Sequence, residues 1–297
     1  MPALGEPAPG SWHPAYHAFH SNQPVSYRPA WLGQSDAGYT PGSASRQQSG
    51  RRCEEMRPCC FQLGAIPNAA GSAYIEQGST KVLASVYGPR QRLDRDKGAV
   101  VLDLQFSSFA CRNVAKEEND RRVELYKALV MGAIESTVLM DRYFKLTIDL
   151  NIVILQDNGS ALASALSVAS LALADASVEM RDIMAGVSIQ RAVQPTGPAE
   201  LLLDCDAMEE RSMRHGSSVL HLGFCPSRGK VCMMHAAGSL ADEPFEEMVH
   251  LAKEAAVEIG TQMNRCLEER VERRRKRQKI QEAVQPAPAK AMQIDPV

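Results

Sequence analysis

The stretch "LQDNGSALASALSVASLALADASVEM", Leu155–Met180, changes pattern at its fourth to sixth residues. It follows the β-branched run "KLTIDLNIVIL", which is typical of a strand. Asn158, Gly159 and Ser160 have the composition of a turn. Small residues then recur near helical spacing, at Ala161, Ala165, Ala169, Ala172 and Ala176. The stretch predicts a strand, a turn and a helix that a sheet or another helix can approach closely.

The turn raises a question about charge. The backbone amides at a helix N-terminus suit an anion such as phosphate. Yet no Lys or Arg occurs from Gln156 to Met180. The pattern therefore offers an anion site without a cation beside it.

Further elements are predicted before this stretch. The segments "KVLASVYGPR" and "GAVVLDLQFSSF" predict two strands, the first ending at a Gly-Pro turn. The segment "NDRRVELYKALVMGAIESTVLM" predicts a helix capped by Asn119 or Asp120. The face expected to be apolar consists of Leu125, Leu129, Gly132 and Ala133.

After the stretch, "IMAGVSIQ" and "ELLLDC" predict strands, and "SSVLHLGF" and "KVCMMHAA" predict a hairpin around "CPSRG". A long helix is expected over 242–277. The order of elements indicates an α/β or α+β fold in two similar halves, with sheets packed against helices.

The two ends of the chain differ from its middle. Residues 1–52 are rich in Pro, Gly, Ser and Gln and predict a disordered tail. Both tryptophans, Trp12 and Trp31, lie there, so docking of these rings on a partner is the alternative. A globular domain is expected over 53–272, followed by a basic and then Pro/Ala-rich tail over 273–297. The basic run is interpreted either as a solvated helix end or as a nuclear-import or nucleic-acid patch.

Composition restricts the class of protein. The chain has 297 residues, 44% of them hydrophobic, and a net charge of −2, so nucleic-acid binding would have to use local patches. Neither a membrane span nor a secretory signal is expected from the apolar runs. The eight cysteines contain no C-x₂-C pair, so reduced thiols are expected instead of a zinc site.

Three stretches together resemble the RNase PH family. The segment "GSAYIEQGSTKVLASVYGPRQ" is similar to its first hairpin, "RRVELYKALVMGAIESTV" to its first long helix, and the stretch from Leu155 to its phosphate turn and second helix. The resemblance covers about residues 57–265. It is most specific to eukaryotic exosome ring subunits of the mRNA-transport-regulator type.

The resemblance implies an RNase PH-like fold of two β-α-β-type subdomains in a six-membered ring around an RNA channel. It implies other RNase PH-like exosome ring subunits, OB-fold-type cap subunits and single-stranded RNA as partners, and no membrane. RNA processing and degradation in the nucleus, nucleolus and cytoplasm would follow.

Active family members cleave RNA with phosphate, and this chain departs from their pattern. The arginine just inside the phosphate turn falls on Leu162, and a second arginine falls on Lys127, which keeps the charge but not the bidentate fork. We therefore expect a degenerate phosphate site at Leu162 and Lys127.

The acidic pair that the resemblance assigns to Mg²⁺ is also incomplete. Asp204 and Asp206 are present, but the partner position falls near Gly216, beside Arg214 and His215. These departures predict a non-catalytic ring subunit that is not an enzyme and has no cofactor or metal. The alternatives are an active phosphate-dependent 3′→5′ exoribonuclease and, more weakly, a freestanding nucleic-acid-binding protein. His215 and His221 are expected to be ordinary hydrogen-bonded histidines.

RNA in a channel needs cations along its backbone. In the family, the loops after the strands face the channel mouth. The candidates in those loops are Arg90, Arg92, Arg112, Lys116, Arg121 and Arg122. The alternative for each is a solvent-facing charge among neighbouring acidic residues.

Overall fold

A computed structural model of the chain describes residues 46, 50–91, 98–110, 116–193, 198–211, 216–239 and 242–284. The strands are β1 (Cys59–Leu63), β2 (Gly71–Gln77), β3 (Thr80–Gln91), β4 (Ala99–Phe106), β5 (Leu146–Gln156), β6 (Ala185–Ala192), β7 (Glu200–Leu203), β8 (Ser218–Cys225) and β9 (Lys230–Gly238). The α-helices are α1 (Lys116–Thr137), α2 (Ala161–Asp175), α3 (Ala207–Arg211) and α4 (Asp242–Val284). A 3₁₀ turn spans Met140–Arg142.

The strands form two sheets. The first has the order β1-β2-β3-β5-β4, in which only β4 and β5 run parallel, and the second has the order β7-β6-β8-β9 and is antiparallel. Helix α1 packs against β4 and β9, and α4 packs against β6, β8 and β1. The expected α/β fold with sheets packed against helices is confirmed.

Helix α2 lies between the two sheets, where it contacts β2 and β3 on one side and β6 on the other. Its residues are buried on every face apart from the partly exposed Ala174. The strands approach the helix backbone so closely that a Cβ at Gly186 would lie 2.2 Å from the Ala163 carbonyl oxygen. The predicted close approach to a small-residue helix is therefore confirmed, and it occurs on two sides.

Two local predictions were wrong in part. Helix α1 begins at Lys116, before the expected caps, and its buried face centres on Tyr126, Val130 and Ile134. Ala133 of the predicted face is buried, but Leu125 and Leu129 lie at the edge, because the buried face is rotated by about one residue from the predicted one. Strand β3 does not end at its Gly-Pro pair but continues to Gln91 through a register shift between Tyr87 and Arg90.

Ordered structure occurs on both sides of the predicted domain boundaries at 52 and 272. Arg46 is buried against α3, and α4 continues through the basic run to Val284. Trp12, Trp31 and the rest of residues 1–45 lie outside the described residues. Within the described part of the chain, no helix is long and apolar enough to cross a membrane.

Candidate functional site at the 157–160 turn

The turn between β5 and α2 requires its glycine and a strained serine. Gly159 has φ +89°, and a Cβ there would lie 2.3 Å from the Cys205 carbonyl oxygen. Ser160, at the N-cap of α2, has φ 55°, a left-handed conformation that is uncommon outside glycine. Its hydroxyl donates to the Cys205 carbonyl at 3.1 Å. The turn is therefore shaped by the segment around Cys205.

The amides of this turn already have partners within the protein. The Asn158 N–H donates to Thr80 Oγ1 at 3.2 Å, and the Gly159 N–H donates to Asp157 Oδ1 at 3.1 Å. The Ser160 N–H donates to Glu210 Oε1 at 2.7 Å. The amide that the sequence offered to an external anion is therefore occupied by the chain's own Glu210 side chain.

Helix α3 places Glu210 at the turn. Asp206 Oδ1 accepts the Met208 and Glu209 N–H groups at 2.9 and 2.8 Å, and Glu209 Oε2 accepts the Asp206 N–H at 2.9 Å. This reciprocal arrangement is a capping box, with aspartate as the N-cap. Because the Ala207 N–H also donates to the Asn158 carbonyl at 3.1 Å, the start of α3 is fixed against the turn.

The stretch itself has no Lys or Arg, but Arg57, in the segment before β1, places a cation beside its turn. The buried guanidinium of Arg57 binds both carboxylate oxygens of Asp204, at 2.9 and 2.6 Å, and donates to the carbonyls of Asn158 and Gly159 at 2.7 and 3.1 Å. Burial alone would raise the pKa of Asp204, but the hydrogen bonds and charge of Arg57 outweigh it and lower that pKa. Asp204 is thus an ionised, fully paired carboxylate.

A second buried cation reaches the turn from α1. Arg122 donates to Asp157 Oδ2 at 2.6 Å, and its guanidinium carbon lies 4.9 Å from the ring centre of Phe106 and 5.7 Å from that of Tyr126. Burial raises the pKa of Tyr126 to about 12, so this ring stays neutral. Arg122 therefore balances Asp157 inside the protein.

The carboxyl group of Glu210 has a raised pKa. Burial, and then the negative charge of Asp157, raise its pKa to about 7, against the lowering effects of the Ser160 N–H, Arg122 and Arg57. A buried carboxyl group that exchanges a proton near neutral pH is a feature of functional sites, although structural ion-pair networks show it too.

The N-terminal segment holds α3 from the opposite side. Arg46 binds Glu209 through two hydrogen bonds of 2.6 and 2.8 Å and donates to the Cys53 carbonyl at 2.8 Å. Arg51 adds contacts to Glu209 at 3.3 Å and to the Asp204 carbonyl at 3.1 Å. Arg46, Arg51 and Arg57 thus bind the segment that carries Asp204 and Glu209.

The two positions of the expected degenerate phosphate site have different environments. Leu162 is fully buried in the main hydrophobic core, whereas Lys127 is partly exposed and pairs with Asp103 on β4 at 2.8 Å. Leu162 is a packing residue of α2, and the charge of Lys127 is engaged with a strand.

The predicted RNA-contacting residues are also separated. Lys116 and Arg121 are exposed on the first turns of α1, and Arg90 is exposed and paired with Asp149. Arg122 is buried, and its guanidinium forms an ion pair with Asp157 inside the protein. Arg92 and Arg112 lie outside the described residues, and RNA contact by the exposed residues stays a prediction.

The Mg²⁺ implied by the resemblance does not fit these side chains. Both oxygens of Asp204 are bound by Arg57, Asp206 caps α3, and Gly216 brings no carboxylate. Among the residues that the structure describes, no group of three or more His, Cys, Asp or Glu could hold a metal ion. Arg214 and His215 are outside that set. Asp204 therefore pairs with Arg57, and Asp206 accepts hydrogen bonds from the backbone of α3.

His221 is not an available base. It is buried beside His235, with ring centres 6.1 Å apart, and burial followed by the charge of His235 lowers its pKa to about 3. Its Nδ1 has no hydrogen-bond partner among the described atoms, so the expectation of an ordinary hydrogen-bonded histidine was wrong for that nitrogen.

Sequence patterns did not identify the residues that give the site its charge, namely Arg57, Asp157 and Glu210. One pattern could have located α3, because Asp206 is followed three residues later by Glu209, the spacing of a capping box. Nothing local could have paired Arg57 with Asp204, which lies far along the chain.

Comparisons with known proteins agree on one family. The model of the 3′ exoribonuclease family, domain 1 (RNase PH), matches residues 55–179. The exosome complex component Rrp41 of Pyrococcus furiosus is 30% identical over 230 residues, covering 76% of this chain and 89% of that protein.

Solved structures share the fold. Rice Rrp46 matches with a TM-score of 0.62 and 21% identity, over 74% of this chain and 99% of that one. A chain of the Archaeoglobus fulgidus exosome with RNA bound to the active site matches with a TM-score of 0.60 and 19% identity, over 73% of this chain and 94% of that one.

These findings correct one expectation. From Leu162, Lys127 and Gly216 we expected a protein that is not an enzyme, but the matching family model describes 3′ exoribonucleases and an aligned relative is Rrp41, which points to an enzyme. Three aligned positions were too narrow a basis for predicting the absence of activity.

The resemblance inferred from the sequence is confirmed by an alignment that spans most of this chain and most of the relative. The family model matches residues 55–179, and the alignment with Rrp41 covers 230 residues, so neither depends on three positions alone. The chain belongs to the RNase PH family of 3′ exoribonucleases.

Proposed function

We propose that the chain is a core ring subunit of an RNA exosome, where it helps to form the channel for single-stranded RNA that is processed or degraded from its 3′ end. The observation that carries the proposal is the alignment with an exosome component over 76% of the chain. We propose other RNase PH-like ring subunits and OB-fold-type cap subunits as its partners.

Exposed apolar side chains and sheet edges support assembly with other subunits. Phe109 and Phe144 are 72% and 62% exposed, and Val231 and Met234 on β9 are also exposed. Strand β9 is an edge strand, with β8 as its sheet neighbour. Unpaired edges beside apolar side chains are surfaces that proteins usually cover.

The start of α1 supports RNA contact. Lys116 and Arg121 are exposed there, and neither forms an ion pair within the described residues. Single strands are held mainly by cations that follow the backbone. We propose Lys116 and Arg121, with Arg90, Arg92 and Arg112, as the cations of this chain that line the channel.

The test is to purify the complex that carries the full chain, measure its mass, and follow single-stranded RNA with and without phosphate. We expect a hetero-oligomer that binds the RNA and shortens it from the 3′ end. A monomer without affinity for RNA would overturn the proposal.

A matched pair of variants sharpens this test. In the complex, Lys116→Gln with Arg121→Gln should reduce the slope of log affinity against log salt by about 0.7 for each lost phosphate contact. Arg228→Gln with Lys253→Gln removes the same charge from exposed positions elsewhere and should leave the slope unchanged. If both variants have the same slope of log affinity against log salt, the start of α1 does not contact RNA in the channel.

A further inference from the structure

Helix α4 extends well past the hydrophobic core. Its last residues packed on the core are Met263, Cys266 and Leu267, yet the helix continues to Val284. At 1.5 Å per residue this extension is about 25 Å long. We call the segment 270–279 within it the basic arm; seven of its ten residues are Lys or Arg, and Glu272 is its one acidic residue.

Two arginines attach the base of this arm to the body of the protein. Arg270 Nε and Arg274 donate to the buried Asp175 Oδ1 at 3.2 and 2.7 Å, and Arg274 also reaches the Asp175 carbonyl at 3.3 Å. The Ser72 N–H donates to the other oxygen of Asp175 at 3.1 Å. These contacts fix the direction in which the arm leaves the C-terminal end of α2.

Three further cations of the arm, Arg273, Arg275 and Lys276, are exposed to solvent. The Arg273 side chain is 73% exposed and reaches only Glu269, one turn earlier, at 3.5 Å. Arg275 and Lys276 are exposed next to it. Like charges one turn apart destabilise an isolated helix, so this arrangement is unfavourable without a counter-charge.

The helix macrodipole does not explain the run. Cations are favoured in the last turn of a helix, but the last turn of α4, which ends at Val284, carries no basic residue. The cations of the arm lie one to four turns earlier. The interpretation of the run as an ordinary charged helix end therefore loses its physical basis.

We propose that the basic arm is a second RNA-binding surface, at which Arg273, Arg275 and Lys276 hold the phosphates of single-stranded RNA outside the channel. This rests on the proposed function for RNA as the occupant. The arm offers charge at close spacing, and between residues 270 and 279 the only apolar side chain is Val271, whereas protein partners are usually anchored by aromatic or large apolar groups.

The test uses the complex that carries the full chain and a fluorescent single-stranded RNA. Arg273→Gln with Arg275→Gln and Lys276→Gln keeps helix propensity and removes three charges. We expect affinity to fall on the order of tenfold at low salt, and the salt slope to decrease by about 2, since each phosphate contact contributes about 0.7.

The control is Arg228→Gln with Lys230→Gln and Lys253→Gln, which removes three exposed charges from the β8–β9 turn, the start of β9 and the first part of α4. It should leave affinity and slope unchanged. Equal losses in the two triple variants, or no loss in either, would overturn the arm as an RNA site.

The same experiment distinguishes a failure of the proposed function from a failure of the inference about the arm. If the complex neither binds nor shortens RNA, the proposed function fails. If it does both, and the arm variant loses only its capture of a nuclear-import receptor while RNA affinity is unchanged, the arm is a protein-recognition segment and the inference is wrong.

Discussion

The two ends of helix α2 show how differently one protein treats charge. At its N-terminus, Glu210 accepts the Ser160 N–H, and Arg57 pairs with Asp204 beside the same turn. At its C-terminus, Asp175 accepts hydrogen bonds from Arg270 and Arg274. Both ends join distant segments through arginine and a carboxylate.

The difference is access to water. At the N-terminal end Arg57 is 9% exposed and Asp204 is 2% exposed, so neither charge can be solvated if its partner is lost. At the C-terminal end the side chains of Arg270 and Arg274 are 25% and 47% exposed. A buried pair is costly to break from one side, whereas a half-exposed pair contributes little. The N-terminal end should therefore control the stability of the domain.

The largest effect is expected for Arg57→Met, which leaves Asp204 ionised and buried without its partner. Removing one member of a buried pair costs about 3–5 kcal/mol. The free energy of unfolding from a urea titration should fall by that amount. The added Asp204→Asn should recover part of the loss, and a double variant no better than the single one would show that the pair is not coupled.

Leu162→Ala tests whether this position belongs to the core or to a site. The side chain is fully buried, so truncation should cost about 2–5 kcal/mol in the free energy of unfolding. Lys127→Ala, at a partly exposed pair with Asp103, should cost less than about 1 kcal/mol. Similar small losses in both variants would mean that Leu162 is not a core residue.

Glu210 should give the N-terminal end a pH dependence. Its pKa is raised from 4.5 to about 7 in the folded chain. Between those values the unfolded chain has released a proton that the folded chain keeps. The contribution of this group is therefore complete below about pH 4.5 and is lost as pH rises towards 7, by roughly 3 kcal/mol in total.

The variant Glu210→Gln keeps an acceptor for the Ser160 N–H and removes the titration. Compared with the unmodified chain, it should gain stability as pH increases from about 5 to about 8, measured by thermal unfolding at each pH. Glu246→Gln, at an exposed position of α4, is the matched control. Parallel pH profiles for all three chains would contradict a raised pKa at Glu210.

The same comparison explains what the sequence could reveal. The strand, turn and helix around Leu155–Met180 are determined by local patterns, and the structure contains them. The identity of the charged partners is not local: Arg57 lies 147 residues before Asp204, and Arg270 lies 95 residues after Asp175. Alignment of this position with the family's arginine showed that Leu162 carries no charge. It could not show that Arg57 and Arg122, from other parts of the chain, lie beside the turn.

The smallest effect is expected at the C-terminal end, for Arg274→Gln. Asp175 keeps Arg270 and the Ser72 N–H as partners, and the guanidinium that is lost is half exposed. The free energy of unfolding should therefore fall by no more than about 1 kcal/mol, and high salt should reduce the difference because partly exposed charges are screened. The double variant with Arg270→Gln should lose more than the sum of the single variants, since only then is the buried carboxylate of Asp175 left without a cation. Strictly additive losses, or a single loss as large as that of Arg57→Met, would show that the two ends of α2 treat charge alike.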